Sequence, residues 1–423
     1  MDIPRKSPVP TVDAVTNLAR MAEEVERDLG NFDEAISVAR RLMEVEPSGI
    51  RGPYALAEVY VLQHKYRDAI ATLETAVAVQ RQSQATRNSQ ATRQGRVRPY
   101  QLASLLGRIG YAYQQLQEHD NAIDSYEQTV ELLPMSLAYG TRLIQAYLDA
   151  GRLDDARTAL EALRPHHSGD LTVPRLEARI LGDGGDIAGG VNVLRAALDD
   201  NDQDPTAHLF LAAFYRDYDR FDDAVVVLES ASLRFPENLS ILFQLGATLE
   251  QHDRYADAER AFRGVLERDS DHAATLNYLG YMLADRGERL EESVNLLERA
   301  IKLDPGNGAY LDSLGWAYFK LERLDLAEVH LRQASEQMAW NSVIQDHFGD
   351  LLSKLGRYDE AIGAWKAALA GDVEQLKGFL GEAIKNEDEA IKKLFEESGL
   401  EEEEFAAEFK VSPERLKNIL NPK

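Results

Sequence analysis

A pattern that returns about every 34 residues is the feature of this sequence that most restricts its fold. The segments "LLGRIGYAYQQLQEHDNAIDSYEQTVELLP" (105–134) and "LNYLGYMLADRGERLEESVNLLERAIKLDP" (276–305) share one order of apolar, small and polar residues. Ten such repeats begin at residues 16, 50, 103, 137, 171, 205, 239, 273, 308 and 342. Apolar residues at three- and four-residue spacing predict two amphipathic helices in each repeat. Because each repeat must bury its apolar face against its neighbours, the period predicts a stacked all-α array.

Small residues and prolines recur at fixed positions of the repeat. The eighth position is glycine in five repeats: Gly110, Gly246, Gly280, Gly315 and Gly349. The twentieth is alanine in eight: Ala35, Ala69, Ala122, Ala156, Ala224, Ala258, Ala327 and Ala361. We expect two helices to meet there, since a side chain larger than a methyl group would push them apart. Proline at the thirty-second position predicts the end of the second helix in four repeats: Pro47, Pro134, Pro236 and Pro305.

At these positions the sequence resembles the tetratricopeptide repeat (TPR) family, whose repeat has a small residue, an alanine and a proline at the same three places. The likeness covers residues 16–375, which leaves residues 1–15 as an N-terminal extension and residues 376–423 as an acidic C-terminal appendage. The resemblance implies an all-α fold: a right-handed α-α superhelix (solenoid) of about ten TPR helix pairs. We expect a small helical appendage to follow it.

Two repeats depart from the pattern. Repeat 1 has Glu23 and Glu26 where most later copies carry small, aromatic or leucine residues, and this favours a polar end cap. Repeat 5 reads "LGDGGDIAGG" around its turn, and helical glycines cost up to about 1 kcal/mol each relative to alanine. We therefore predict that repeat 5 is the softest joint of the array. A phosphate-binding glycine loop is disfavoured because no strand pattern precedes it.

Composition excludes several classes of protein. The 72 acidic and 47 basic residues give a net charge of −25, which argues against a nucleic-acid or anionic-membrane surface over the whole molecule but not against a local basic patch. Without cysteine, the chain has no disulfides, thiolate metal sites or cysteine nucleophiles. No run is apolar enough for a membrane span, and the N-terminus lacks the apolar core of a signal peptide. The sequence as it stands favours the cytoplasm, or the periplasm or envelope if an export signal has been removed.

The histidines give no catalytic or metal-binding pattern. His166 and His167 are neighbours in "RPHHSGD", an arrangement more typical of a solvated loop than of a chelate. His208, His330 and His347 fall on predicted helices without a second ligand four residues away. No serine lies in a strand-to-helix elbow. We therefore expect a protein that is not an enzyme and carries no cofactor or metal.

In TPR superhelices the first helix of each repeat lines a concave groove with its second, fifth, sixth, ninth and twelfth positions. Read at these positions, repeats 3 to 5 supply the residues Arg108, Tyr111, Arg142, Gln145, Arg175 and Arg179. Repeats 6 and 7 supply Leu209, Phe210 and Phe243, and repeats 8 to 10 supply Asn277, Tyr281, Asp312, Trp316, Asp346 and Asp350. The resemblance implies a groove that changes from basic through apolar to acidic and aromatic, with Trp316 and Tyr281 exposed. Protein or peptide ligands are the expected partners, although each residue alone is equally consistent with solvation or packing between repeats.

Two narrower resemblances bear on the partner. A lysine and an asparagine at the fifth and ninth positions, which grip a C-terminal carboxylate in one TPR subclass, are absent from repeats 8 to 10. The sequence of residues 276–365, for example "YLDSLGWAYFKL", is similar to that of bacterial envelope TPR proteins that act as adaptors of proteases or assembly machines.

The tail resembles a different family. Its apolar residues match the core of phage-repressor-type helix-turn-helix proteins: Leu400, Phe405, Phe409, Val411, Leu416 and Ile419. Ser412 would cap the recognition helix, with Pro413 at its first position. Lys410 replaces the family's turn glycine, however, and Glu401–Glu404 would repel phosphate where the family binds it. We therefore favour the interpretation that the tail caps repeat 10 or docks on a partner as a helix. A DNA-binding module is the alternative.

A 53-residue spacing between repeats 2 and 3 places a 19-residue insert near residues 84–102. It carries the arginines Arg87, Arg93, Arg96 and Arg98, and no acidic residue occurs from Thr75 to Gln117. The insert would prolong the preceding helix by about two turns, with Gly95 ending it and Pro99 starting the next. Two interpretations stay open: a second contact for an acidic partner, or a tolerated flexible insert.

The sequence thus predicts a non-enzymatic scaffold or adaptor that binds polypeptides in its groove. The alternatives are a TPR-regulated DNA-binding protein and an adaptor of a bacterial envelope protease or assembly machine.

Overall fold

The computed structural model describes residues 32–89, 99–369 and 392, and none of these residues is in a β-strand. The helices are α1 Phe32–Val45, α2 Arg51–Leu62, α3 Tyr66–Ser89, α4 Pro99–Gln115, α5 His119–Leu132, α6 Leu137–Asp149, α7 Leu153–Leu163, α8 Thr172–Asp183, α9 Ile187–Asp200, α10 Pro205–Asp217, α11 Phe221–Arg234, α12 Leu239–Glu250, α13 Tyr255–Arg268, α14 Ala273–Asp285, α15 Leu290–Leu303, α16 Gly308–Lys320, α17 Leu324–Gln337 and α18 Ser342–Lys354. Residues 358–369 are also helical, and a short 3₁₀ turn lies at Arg164–His166.

The chain divides into two compact units, Met1–Ser313 and Leu314–Lys423, called unit 1 and unit 2. In unit 1, α4 packs on α5, α12 on α13 and α14 on α15, so each helix pair corresponds to one repeat of the sequence. Successive pairs also pack on each other, as α3 does on α4 and α5 on α6. The predicted all-α fold of stacked TPR helix pairs is confirmed.

The glycines at the eighth position lie against large side chains of the second helix. A Cβ added to Gly110 would lie 2.8 Å from the ring of Tyr126, and one added to Gly246 would lie 2.6 Å from the ring of Phe262. Repeat 4 differs from the expectation, because its eighth residue is the fully buried Ile144. The size limit at this position therefore depends on the side chain opposite it.

The fifteenth residue of every described repeat from 2 to 10 adopts a left-handed backbone conformation. The nine residues are His64, Gln117, Gly151, Gly185, Asp219, Asp253, Gly287, Glu322 and Gly356, with φ between 55° and 88°. Only four of them are glycines, although this conformation is unfavourable for other residues. The turn between paired helices is thus imposed by helix packing and not by local sequence alone.

Repeat 8 contains one extra residue in its turn. Gly287 and Arg289 both have positive φ, 66° and 46°. The insertion brings Ser293 to the place that alanine occupies elsewhere, and its buried hydroxyl donates to the carbonyl oxygen of Gly280 at 2.6 Å. Ser293 therefore satisfies its hydroxyl within the helix pair.

The predicted helix ends are observed. Each repeat proline lies two residues after a second helix, in the pairs Val45 and Pro47, Leu132 and Pro134, Arg234 and Pro236, and Leu303 and Pro305. The helix α3 has 24 residues where α5 has 14, which is the extension predicted for the insert. The helix α4 begins at Pro99 and already buries Leu102, so the end of the predicted insert belongs to repeat 3.

Several predictions fall outside the described residues. They concern the extension at residues 1–15, the end cap at Glu23 and Glu26, and the appendage at 376–423, in which only Lys392 is described. In the insert, Arg93, Arg96 and Arg98 lie outside as well, and for Arg87 the structure describes the helical backbone alone.

Candidate functional site

The first helices of the repeats share one side of unit 1. Across repeats 4 to 8, neighbouring first helices (α6, α8, α10, α12 and α14) contact one another more closely than the second helices do. Positions 5, 9 and 12 of a helix lie on one face, since they are separated by three or four residues. We use the term groove for the face that positions 5, 6, 9 and 12 of the first helices, with the following thirteenth residues, form in unit 1.

At repeats 2 to 4, basic and aromatic side chains alternate in the groove. Arg108 forms an ion pair with Glu58 on the first helix of the preceding repeat. The Cζ atoms of Arg108 and Arg142 lie 4.8 Å and 5.8 Å from the ring centre of Tyr111, within cation–π range. Arg142 is exposed and has no ion pair with any described carboxylate. Arg108 thus has a carboxylate partner, whereas Arg142 has none among the described residues and instead hydrogen-bonds the hydroxyl of Tyr126.

Gln145 belongs to a polar network between repeats 3 and 4. Its Nε2 donates to Oδ1 of Asp149 at 2.6 Å, and Nε2 of Gln114 donates to the other carboxylate oxygen at 2.6 Å. The hydroxyl of Tyr126 donates to Oε1 of Gln114 at 3.2 Å. The predicted groove residue Gln145 is therefore held by contacts within the protein.

The two predicted arginines of repeat 5 differ in their surroundings. Arg179 donates to both carboxylate oxygens of Asp183 at 2.9 Å and lies 3.8 Å from Asp217. Arg175 is exposed, its Cζ lies 5.1 Å from the ring centre of Phe210 in the next repeat, and it pairs with no carboxylate among the described residues. Arg175 thus resembles Arg142, with an aromatic ring beneath it and no direct ion pair among the described residues, although its charge helps to lower the pKa of Asp170.

Aromatic side chains continue the groove across repeats 6 to 8. Leu209 is half-buried and packs against the core of unit 1. Phe243 lies 5.1 Å from Tyr278 in an edge-to-face arrangement and 5.8 Å from His272. Tyr278 is 44% exposed. Tyr278 is not among the predicted groove residues, although it occupies the sixth position of repeat 8, which the positional rule includes.

Acidic residues surround the groove at repeats 7 to 9. Burial, followed by the nearby carboxylates of Asp285, Asp312 and Glu250, raises the pKa of Tyr281 to about 12. Burial, followed by Asp253 and Asp285, also raises the pKa of Glu250. Tyr281, which is predicted to be exposed, is half-buried, and Asp312 is only 5% exposed. Both side chains are therefore less accessible than predicted.

In unit 2 the structure corrects the prediction for Trp316. Its side chain is 8% exposed, and its ring stacks on His347 at 4.1 Å and on Phe319 at 5.0 Å. The indole is covered because the next repeat presents a flat histidine ring to it, so it is a packing residue and not an exposed anchor. Asp346 is exposed, whereas Asp350 accepts a hydrogen bond from Nε1 of Trp365 at 3.3 Å.

Among the described residues, ten buried polar side-chain atoms make no hydrogen bond, and six of them belong to first helices, including Nδ1 of His208 at a fourth position. Five belong to the groove: Oε1 of Glu58, Nε of Arg108, Oγ1 of Thr141, Nε of Arg216 and Oδ1 of Asn277. They occupy positions 9, 6, 5, 12 and 5 of their repeats. Arg108 and Asn277 belong to the predicted groove residues, and the positional rule extends to the other three.

The described residues bring together no three histidine or acidic side chains in a geometry suited to a metal ion. His166 is exposed, and Nε2 of His167 lies 2.9 Å from the carbonyl oxygen of Met135. Among the helices described, none combines the length and hydropathy that a bilayer crossing requires.

Two relatives share part of the sequence. A TPR repeat-containing protein of Pseudomonas aeruginosa is 29% identical over 249 residues, which is 58% of this chain and 35% of the relative. A peroxisomal targeting signal receptor of Yarrowia lipolytica is 32% identical over 96 residues, 21% of this chain and 16% of the receptor. The chain thus spans about a third of the first relative and about a sixth of the second.

Two solved structures align with most of the chain. Yeast Tom70 aligns with 91% of this chain and 92% of its own, at 14% identity and a TM-score of 0.48. The APC/C hetero-tetramer Cut9–Hcn1 aligns with 85% of this chain and 93% of its own, at 13% identity and a TM-score of 0.43.

A family profile for the tetratricopeptide repeat matches residues 108–170, 175–233, 215–273, 243–307 and 282–337. These matches cover more than half of the chain and fall on the helix pairs of repeats 3 to 9. Proteins with this repeat are typically non-catalytic scaffolds that bind other proteins. The matches, together with the helix pairs at 34-residue spacing, show that the chain belongs to the tetratricopeptide repeat family.

Proposed function

We propose that this protein is a non-enzymatic scaffold or adaptor that binds partner polypeptides in the groove of unit 1. The observation that carries the proposal is the set of exposed arginine and aromatic side chains at groove positions, Arg142, Arg175 and Tyr278. A bound polypeptide can offer carboxylates to the two arginines and apolar side chains to the ring of Tyr278.

The composition of the groove agrees with this proposal. Arginine and tyrosine are the residues most often found as energetic anchors of protein interfaces, and the groove presents both in Arg142, Arg175 and Tyr278. Arginines stacked on rings lose little side-chain freedom when a ligand binds, because they are already ordered.

Photo-crosslinking tests the proposal. p-Benzoylphenylalanine is placed at Tyr278 in the groove, and at Leu233 as a control. Leu233 is 86% exposed and lies on the second helix α11 of the same unit. After irradiation in cells, mass spectrometry should identify partner peptides attached at position 278 and not at position 233. Crosslinks at Leu233 alone would place the interface on the second helices and refute the proposal.

A further inference from the structure

We infer that the groove ligand is an acidic–apolar peptide segment, with its carboxylates over repeats 4 and 5 and its aromatic or aliphatic side chains on Phe243 and Tyr278. This inference rests on the proposed function, because it names the ligand chemistry of the same groove. Four observations carry it: two arginines without an ion pair among the described residues, the rings beneath them, the aromatic cluster of repeats 6 to 8, and the acidic residues of repeats 7 to 9.

The first observation concerns charge. Most arginines of the described residues form ion pairs, as Arg108 does with Glu58 and Arg179 with Asp183. Arg142 and Arg175 are two of the exceptions, at the sixth position of repeat 4 and the fifth of repeat 5. Their helices, α6 and α8, are in contact. Two groove guanidinium groups without an ion pair among the described residues favour a ligand that carries more than one carboxylate.

The second observation concerns geometry. Arg142 lies over Tyr111 and Arg175 over Phe210, each on a ring of an adjacent first helix. Contact with a ring occupies the face of a guanidinium and leaves the N–H groups at its edge free to donate. Planar donors of this kind match carboxylate oxygens, which accept two parallel hydrogen bonds.

The aromatic cluster follows Arg175 along the groove, and the next groove arginine, Arg216, donates to Oε1 of Gln244 at 2.9 Å. Phe210 carries Arg175 on its face, and Phe243 and Tyr278 follow on the next two first helices. Tyr278 is 44% exposed although it contacts Phe243 and Phe262. An aliphatic or aromatic ligand side chain can therefore cover this ring and remove apolar surface from water.

The acidic residues fix the direction of the ligand. Glu250, on α12, forms no ion pair with a described residue and lies near the carboxylates of Asp253 and Asp285. A ligand carboxylate at repeats 7 and 8 would meet like charges in a half-buried environment, and this is unfavourable. The carboxylates of the ligand therefore lie at repeats 4 and 5.

The experiment uses the full chain and a labelled synthetic peptide. An extended peptide of twelve residues is about 40 Å long, roughly four helix spacings of 8–10 Å. One half contains four glutamates and the other half phenylalanine and leucine. Fluorescence anisotropy at low salt gives its Kd.

The double variant Arg142→Glu/Arg175→Glu should weaken binding by at least about tenfold and reduce its salt dependence, because two charge-assisted contacts are lost. Arg142→Lys/Arg175→Lys, which keeps the charge, should weaken it by about threefold.

The matched control is Arg41→Glu, the same charge change at an exposed arginine on the second helix of repeat 1. It should leave the Kd unchanged, and circular dichroism should show that every variant is folded. A photoreactive group on the acidic half should label α6 or α8, and one on the apolar half should label α12 or α14.

Any of four results would overturn the inference. A peptide with lysines in place of glutamates could bind equally well, the Arg142→Glu/Arg175→Glu variant could bind with unchanged Kd, or the acidic half of the peptide could label α12 or α14 and the apolar half α6 or α8. The fourth is that the protein forms a dimer that this variant dissociates, because the groove would then be occupied by a second copy. The proposed function fails separately, when natural partners crosslink at Leu233 and not at Tyr278.

Discussion

The ring of Tyr218 covers Gly182 so closely that a Cβ on the glycine would lie 2.3 Å from Cζ of the ring. Gly182 lies near the end of the first helix of repeat 5, and Tyr218 follows the first helix of repeat 6. The hydroxyl of Tyr218 donates to Oδ1 of Asp183 at 2.5 Å, and its oxygen lies 3.2 Å from the carbonyl oxygen of Arg179. Because Asp183 also accepts from Arg179, this contact between repeats orients a groove arginine.

Replacing Gly182 with alanine should therefore destabilise the junction of repeats 5 and 6. The new methyl group displaces the ring of Tyr218 and breaks its hydrogen bond to Asp183, at a cost of about 1–3 kcal/mol. Urea denaturation of Gly182→Ala, Tyr218→Ala and the double variant measures the coupling of the two residues. We expect the alanine at 182 to cost little once Tyr218 is removed; additive effects would show that the two do not interact.

Gly151→Ala should destabilise repeat 4 by about 1 kcal/mol, because its φ of 68° is unfavourable for alanine. The surrounding space is open, with no heavy atom within 4 Å of an added Cβ, so the backbone alone determines the effect. The control is Gly264→Ala in the interior of α13, where alanine should instead stabilise by about 0.5–1 kcal/mol. Denaturation midpoints measure both changes, and equal signs for the two would contradict the explanation.

The ion pair of Glu259 should make stability depend on pH. Arg289 donates to its two carboxylate oxygens at 2.8 and 2.5 Å, and Arg263 donates at 2.7 Å. These bonds, that of Arg289 foremost, hold the pKa of Glu259 at about 2, below its ordinary value of 4.5. The folded state therefore gains stability from the carboxylate above pH 4.5 and loses it as the pH falls towards 2.

Glu259→Gln should accordingly lower the free energy of unfolding at pH 7 by about 1–2 kcal/mol, a figure reduced because Arg289 is partly exposed to solvent. The difference from the unmodified protein should shrink as the pH is lowered. Glu237→Gln is the control, since Glu237 is 85% exposed and lies 3.9 Å from Arg268; it should change stability by less than about 0.5 kcal/mol. A difference that stays constant from pH 7 to pH 2 would mean that Glu259 does not act through its charge.

Hydrogen exchange tests the prediction that repeat 5 is the softest joint. Five glycines surround its turn, and Gly185 has a φ of 88°. Gly182 and Gly190, however, make close contacts with Tyr218 and Phe214 of repeat 6. We expect the amides of the turn at residues 184–186 to exchange faster than those of the corresponding turns in repeats 4 and 6. Equal rates would show that the contacts with repeat 6 compensate for the glycines.

By itself the sequence determined the repeat, its helix pairs and the positions of the first helices that lie on one face. This was possible because each of these depends on spacing within one repeat: Gly110 must face Tyr126 wherever the pair occurs, and Pro134 must end its helix. The same positional rule led to Arg142, Arg175 and Asn277, and it extends to Glu58, Thr141 and Tyr278.

Only the tertiary structure decided which groove side chains are available to a ligand. Arg108 pairs with Glu58, 50 residues away, whereas Arg142 pairs with no carboxylate in the part of the chain that the structure describes. Trp316, expected at the surface, is buried because the ring of His347 stacks on it. These outcomes depend on which residues of neighbouring repeats meet across the stack. The repeat period determines the helix face on which a side chain lies, but the packing of adjacent helices determines which residues it contacts.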